Sequence, residues 1–215
     1  MDPCPTRGIL ACSVALVLLP LMQPMQRLAQ ASDVINDADA YAVYAAVVRL
    51  RFSSADDALA QIALLQETRA VMMCPRDETL PPQWHSVVDS YRRENARVRI
   101  LQPGFDLGLP YSLVPLAALR ALMQEAGYDL SKFSGEQSPG AEVFARYPGG
   151  RLFALSAVGF NVERTRAMVT FQFNCFPSLE PGTEHAPCYQ GEQVIMEKQE
   201  GRWVRAKVAA CGWIA

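Results

Sequence analysis

Residues 165–175 read TRAMVTFQFNC. Ala167, Val169, Phe171 and Phe173 fall at every second position, with Thr170, Gln172 and Asn174 between them. That period belongs to a β-strand, and the apolar/polar split marks a strand with one buried face. The flanking sequence extends the pattern. Arg151–Val162 reads as a preceding strand, with Glu163-Arg164 as the turn. Phe176–Pro187 holds three Pro and one Gly and reads as a long loop. Cys188–Gln199 is a third strand with Val194 and Met196 inward, and Glu200-Gly201 is a hairpin signal. Arg202–Ile214 is the fourth, with Val204, Ala206, Val208 and Ala210 on one face.

Upstream the period is helical. Val34, Ala38, Tyr41, Ala42, Ala45, Val48 and Leu50 fit a helix capped by Ser32 or Asp33 and running to about Phe52. Ser54-Ala-Asp-Asp57 resembles the cap of a second, short helix through about Leu65. Thr68–Cys74 is a short apolar run ended by Pro75 and reads as a strand, followed by polar loop over Arg76–Leu80. Pro81-Pro82 opens a helix whose stripe is Trp84, Val87, Val88 and Tyr91 and whose end is Arg92-Arg93-Glu94-Asn95. Ile100–Ser112 contains two Pro and two Gly and reads as irregular. Pro115 starts a helix faced by Leu116, Leu119, Met123 and Ala126, with Gly127 as its stop. Ser131–Gly140 is polar loop, Ala141–Tyr147 a short helix and Pro148-Gly149-Gly150 a turn. Helices first and strands last predict an α+β fold: N-terminal helices on one face of a C-terminal four-stranded antiparallel meander, with the strand near residue 70 available as an extra edge.

The chain has 215 residues, 20 basic and 22 acidic side chains, and 50% hydrophobic residues. A disordered chain has fewer apolar residues and a larger net charge, and the 13 Gly and 15 Pro are too scattered for a low-complexity or collagen-like chain. A formal charge of −2 gives no reason to expect nucleic acid or an anionic membrane as partner. Ile9–Met22 (ILACSVALVLLPLM) is an apolar run preceded by Arg7 and followed by Ala29-Gln30-Ala31. A basic start, a short apolar middle and a small-x-small end predict a secretory signal over residues 1–31, cut between Ala31 and Ser32. Two readings compete. An uncleaved anchor helix needs about 20 apolar residues, more than this run supplies. Lipidation at Cys12, in Ile9-Leu10-Ala11-Cys12, puts the Cys before most of the apolar run instead of after it. Removing 31 of the 215 residues leaves a single domain over 32–215, and losing Arg7, Arg27 and Asp2 takes the formal charge from −2 to −3. The expected location is periplasmic or secreted, with no stable membrane anchor after the signal is removed.

Of six Cys, four lie beyond the signal: Cys74, Cys175, Cys188 and Cys211. An even number in an exported chain reads as disulfides, and four Cys allow three pairings. Cys175 ends one strand and Cys188 opens the next, so a bridge there closes the 176–187 connection; that leaves Cys74 with Cys211. The alternative is metal at His185-Ala-Pro-Cys188, but no second Cys/His pair accompanies it, and no metal or cofactor is expected.

Ser156-Ala-Val-Gly-Phe-Asn161, Thr165-Arg-Ala-Met-Val169, Cys188–Gly191, Glu197-Lys-Gln-Glu-Gly-Arg-Trp203 and Trp213, together with Arg76-Asp-Glu-Thr79 and Tyr91-Arg-Arg-Glu-Asn95, carry a resemblance. Over roughly residues 68–215 the chain resembles an uncharacterised family of exported bacterial α+β domains. It departs at Cys188-Tyr-Gln-Gly191, where the pattern has Gly after the Cys. The resemblance implies an exported single domain and no particular activity. The order of elements is loosely similar to cone-shaped folds of the nuclear-transport-factor type, an analogy that does not fix function.

No nucleophile elbow, P-loop, dinucleotide fingerprint or zincin motif is present. His85 and the Glu184-His185 pair are the two places where acid–base work could reside, though His85 reads better as a helix-boundary residue. Arg164 and Arg166 could grip an anion through their planar forks or simply be solvated edge charges. Ser156 and Asn161 fit turn chemistry, Trp84, Trp203 and Trp213 fit core or sheet cover, and Arg92, Arg93 and Arg97 fit a solvated helix end. The expected function is therefore a non-catalytic binding or interaction module for a protein, a glycan or a small ligand. The runner-up is a small hydrolase or isomerase with Arg164, Arg166, Glu184 and His185 between helices and sheet. A third reading is an inhibitor that presents the 176–187 loop.

Overall fold

The strand at 165–175 forms, but the sheet around it is mixed, larger and covered on both faces. The computed structural model describes residues 33–52, 60–69, 80–129, 141–175, 188–208 and 211–214. Ser32–Ala215 forms one compact unit; residues 1–31, where the secretory signal is expected, and the expected cut after Ala31 lie outside the described residues. The elements are β1 (Asp33–Val34), α1 (Ala38–Arg51), β2 (Ile62–Leu65), α2 (His85–Asn95), β3 (Arg99–Ile100), β4 (Tyr111–Val114), α3 (Leu116–Glu125), α4 (Ala141–Phe144), β5 (Leu152–Leu155), β6 (Gly159–Phe160), β7 (Arg166–Cys175), β8 (Cys188–Gln199), β9 (Arg202–Arg205) and β10 (Cys211–Ile214). The main sheet runs β10-β8-β7-β5-β2-β4, with β6 also paired to β7 and β9 to β8. β2 is parallel to both β4 and β5, and the pairs from β5 through β10 are antiparallel. A separate two-stranded parallel sheet joins β1 to β3.

This overturns the α+β expectation of helices on one face of a four-stranded meander. The error has a physical source in β2. Ile62-Ala-Leu-Leu65 is apolar at four consecutive positions, and all four are buried. A parallel strand covered on both sides shows no alternation, so it reads as the tail of a helix. Ile62 and Leu64 join one core with Phe153, Leu155, Val169, Phe171 and the α1 residues Val43, Tyr44, Val47 and Val48. Ala63 and Leu65 join another with Leu152, Ala154 and α3 and α4. A third core sets Met168 and Ile195 against Trp84, Val87, Val88 and Tyr91 of the α2 region. α1 thus covers one face of the sheet, and α2, α3 and α4 cover the other. The face of β7 read as polar and solvated is covered too: Thr170 and Gln172 are buried.

Local chemistry accounts for most boundaries. α1 begins at Asp37, whose Oδ1 accepts from the N–H groups of Asp39 at 3.0 Å and Ala40 at 3.3 Å; the expected caps lie before it, with Asp33 in β1. Pro82–Trp84 forms a 3-10 turn leading into α2, and the predicted stripe is buried. In α3, Leu116, Leu119 and Met123 are buried while Ala126 is exposed at the C-cap. Gly127 then stops the helix with φ +88°. Arg151–Val162 is two strands, β5 and β6, broken at 156–158. Arg202–Ile214 is also two strands, β9 and β10, both paired with β8; of the expected face, Ala206 and Val208 pack in the α2-side core, while Trp203 joins the α1-side core. Glu200 and Gly201, at φ +50° and +78°, make the hairpin turn the sequence signals. Thr68 and Arg69 are not in a strand, and the rest of the Thr68–Cys74 run lies outside the described residues, as does the 176–187 loop. Of the short helix expected from Ser54 through about Leu65, residues 53–59 lie outside the described residues and 62–65 form β2 instead.

Candidate functional site: a groove along the first helix

Ser156, Asn161, Tyr91 and Asn95, four of the residues quoted for the resemblance, are taken up by hydrogen bonds within the fold. Ser156 sits at the break between β5 and β6. Its carbonyl accepts from the Tyr44 hydroxyl at 2.9 Å, its Oγ accepts from Thr170 N–H at 2.8 Å and donates to the Ala157 carbonyl at 3.0 Å. Thr170 Oγ1 in turn shares a 2.6 Å hydrogen bond with the Tyr91 hydroxyl. Burial pushes both phenols above their ordinary pKa, so they stay neutral partners in this network. Asn95 clamps the break from α2, accepting from Ala157 N–H at 2.8 Å and donating to the Ala157 carbonyl at 2.9 Å. Asn161 Oδ1 accepts from the N–H groups of Thr165 and Arg166 at 2.9 and 2.8 Å, which is turn chemistry.

Arg164 and Arg166 do not converge. Arg164, at φ +53°, turns toward the start of α1. Its Nη2 donates to Asp37 Oδ1 at 2.6 Å and its Nε to Asp39 Oδ2 at 3.1 Å, and the guanidinium lies 4.0 Å from the centroid of the Phe160 ring. Lys198 Nζ donates to Asp39 Oδ1 at 2.9 Å. That Lys198 bond, followed by the one from Arg164, holds the Asp39 carboxyl below its ordinary range against the opposing effect of burial. Arg166 lies 5.5 Å from the Trp84 ring on the α2 side, with a 3.5 Å contact to the Gln83 carbonyl. Glu184 and His185 lie outside the described residues.

His85 is exposed and its Nε2 lies 3.2 Å from the Leu80 carbonyl, a boundary position. Arg92 pairs with Asp89 at 3.7 Å. Trp84 is core. Of the predicted cysteines, Cys175 and Cys188 are direct Cα partners across β7 and β8, Cys211 is the partner of Gln193, and Cys74 lies outside the described residues. Among the described residues, no three His, Cys, Asp or Glu side chains are grouped as a metal would need, and no helix is long and apolar enough to cross a membrane.

Concavities lie at three places among the described residues. One, about 400 Å³, lies beside the β5–β6 break and is charged, but its charges answer one another: Asp37 holds Arg164, and Glu94 pairs with Arg99. A second, about 590 Å³, lies at Phe105, Tyr111, Leu113 and Gln66. The third is a groove of about 1020 Å³ along α1. Its floor is Ala38, Ala42, Ala45 and Ala46; Tyr41 and Phe105 form one wall and Trp203 the other. Tyr41 and Phe105 stack at 4.6 Å, and Phe105 lies 4.8 Å from Tyr111. The loop behind this wall is tied down by both phenols, since Tyr41 accepts from Gln102 N–H and Tyr111 from Gly104 N–H, each at 2.9 Å. The rim carries both signs, with Arg49 3.4 Å from Asp106. Trp203 is 8% exposed, and its indole N–H has no hydrogen-bond partner among the described residues.

Sequence reasoning missed this groove. The Ala run on α1 was visible, but the opposing wall comes from residues 102–106, which read only as irregular, and from Trp203, far away in the chain. No family model matches the chain, and no curated protein or solved structure matches it. The comparisons therefore do not bear on the resemblance over residues 68–215.

Proposed function

We propose that this chain is an exported, non-catalytic binding module that takes an apolar polypeptide segment in the groove along α1. The observation that carries the reading is the groove itself: an alanine floor between the Tyr41–Phe105 stack and Trp203. Small residues let another backbone approach the helix, and exposed Ala42 with half-buried Tyr41 and Ala46 leaves apolar surface for it to cover. A glycan is a poorer fit because it needs free donors and acceptors, whereas the Tyr41 hydroxyl donates to the Ile35 carbonyl and accepts from Gln102, and Arg49 is engaged by Asp106. A small ligand prefers a site that encloses most of its surface; an open groove suits a segment that continues past both ends. Export is supported by the Ile9–Met22 run with Ala29-Gln30-Ala31 and by the even cysteine count after it.

The test places a photo-cross-linking residue at exposed Arg202, on the rim of the groove, in the chain expressed in its native host. A polypeptide adduct is expected, and Ala42→Trp, which fills the groove from an exposed helix position, is expected to abolish it. Adducts that survive Ala42→Trp, or that form equally from the 89% exposed Val162, contradict the proposal.

A further inference from the structure

We infer that Cys175 and Cys188 are joined by a disulfide at the loop end of the β7–β8 hairpin, where β7 leaves for the 176–187 connection and β8 returns from it. The β7–β8 ladder runs in constant register from Arg166↔Glu197 to Cys175↔Cys188, so the two cysteines are direct partners. Antiparallel partners sit with Cα atoms about 4.5–5.5 Å apart, inside the roughly 4.4–6.8 Å range a disulfide spans.

The same ladder rules out the alternatives. β10 pairs with β8 so that Cys211 is opposite Gln193. Gln193 lies five positions along β8 from Cys188, which at about 3.4 Å per residue is about 17 Å. Cys175 carries the same offset and is one strand further away. Cys211 therefore reaches neither. Either other complete pairing of Cys74, Cys175, Cys188 and Cys211 needs Cys211 joined to Cys175 or to Cys188. Only Cys175–Cys188 is compatible with the sheet.

Formation needs an oxidant of the disulfide class. One thiolate attacks the oxidant's S–S bond, forming a mixed disulfide and releasing one oxidant thiol. The second thiolate attacks the mixed disulfide, forming the Cys175–Cys188 bond and releasing the other. The two cysteines lose two protons and two electrons, and the oxidant is reduced to two thiols. The product is a covalent clasp that fixes both ends of the 176–187 connection.

The experiment uses the full chain equilibrated in oxidised and reduced glutathione, then alkylated and cut by a glutamate-specific protease, which cleaves after Glu184 between the two cysteines. The expected result is a linked pair of fragments, one with Cys175 and one with Cys188, that separates on reduction. Cys175→Ser should leave Cys188 alkylated. Linkage of either residue to any other cysteine, or alkylation of both in the oxidising buffer, overturns the inference.

Discussion

Gly159→Ala should be among the most damaging single-methyl changes in this protein. A Cβ built at Gly159 lands 2.3 Å from Tyr91 N, 2.4 Å from Tyr91 Cα and 2.6 Å from Tyr91 Cβ. The first two are backbone atoms of α2, so no rotamer change relieves them. The helix must retreat by about 1 Å from β6 to restore ordinary contact. That retreat pulls on everything sewn across the seam: Phe160 N–H to Ser90 Oγ at 3.2 Å, Asn95 to Ala157, and Tyr91 to Thr170. Overpacking a dense interior typically costs 1–3 kcal/mol, and weakening buried hydrogen bonds adds to it, so about 3 kcal/mol is expected. Urea unfolding followed by circular dichroism should show the midpoint lowered with the slope unchanged. A loss below about 1 kcal/mol would mean that α2 and β6 do not meet through backbone, and would refute the reading of Ser156–Asn161 as a structural seam.

Three further outcomes follow from the same geometry. Asn95→Ala should cost about 1–3 kcal/mol in the same unfolding assay, because the Ala157 N–H loses its partner while the Ala157 carbonyl keeps only the Ser156 hydroxyl. The Asp39 carboxyl is held below its ordinary pKa in the folded state, chiefly by Lys198. Its contribution is therefore present above the unfolded-state carboxylate pKa and is lost as pH falls through the lowered folded value. The stability gap between the native chain and Asp39→Asn should be constant near neutrality and shrink on acidification below about pH 4, as read from urea midpoints across pH. The proposed Cys175–Cys188 bond should contribute about 3 kcal/mol on the loop-entropy model, read in thermal unfolding as the part of the reductant-induced loss that Cys175→Ser no longer shows.

What the sequence discloses here depends on how each element is covered. β7 was legible because Val169, Phe171 and Phe173 alternate with residues of a different kind, even though those residues, Thr170 and Gln172, turn out to be buried and hydrogen-bonded rather than solvated. α2 and α3 were legible because each offers a single apolar stripe with a Pro at its start. β2 was not, since a strand buried on both faces by α1 and α3 is apolar throughout, and β4 was hidden behind the Pro and Gly of the preceding loop. Losing those two strands turned a mixed sheet with helices on both faces into an antiparallel one with helices on one. The groove was illegible for a related reason: α1 contributes its floor, but the walls come from Phe105 and Trp203, which only the sheet topology brings alongside. Arg164 shows the converse. Its charge was visible, but its engagement by Asp37 and Asp39, more than a hundred residues earlier, was not.

The most direct test of the groove as the binding surface is the affinity of the cross-linked polypeptide for the native chain and for Ala42→Trp, measured side by side with the fold of both verified by circular dichroism. At least a tenfold loss is expected for Ala42→Trp with the fold intact, and an unchanged affinity would contradict the account.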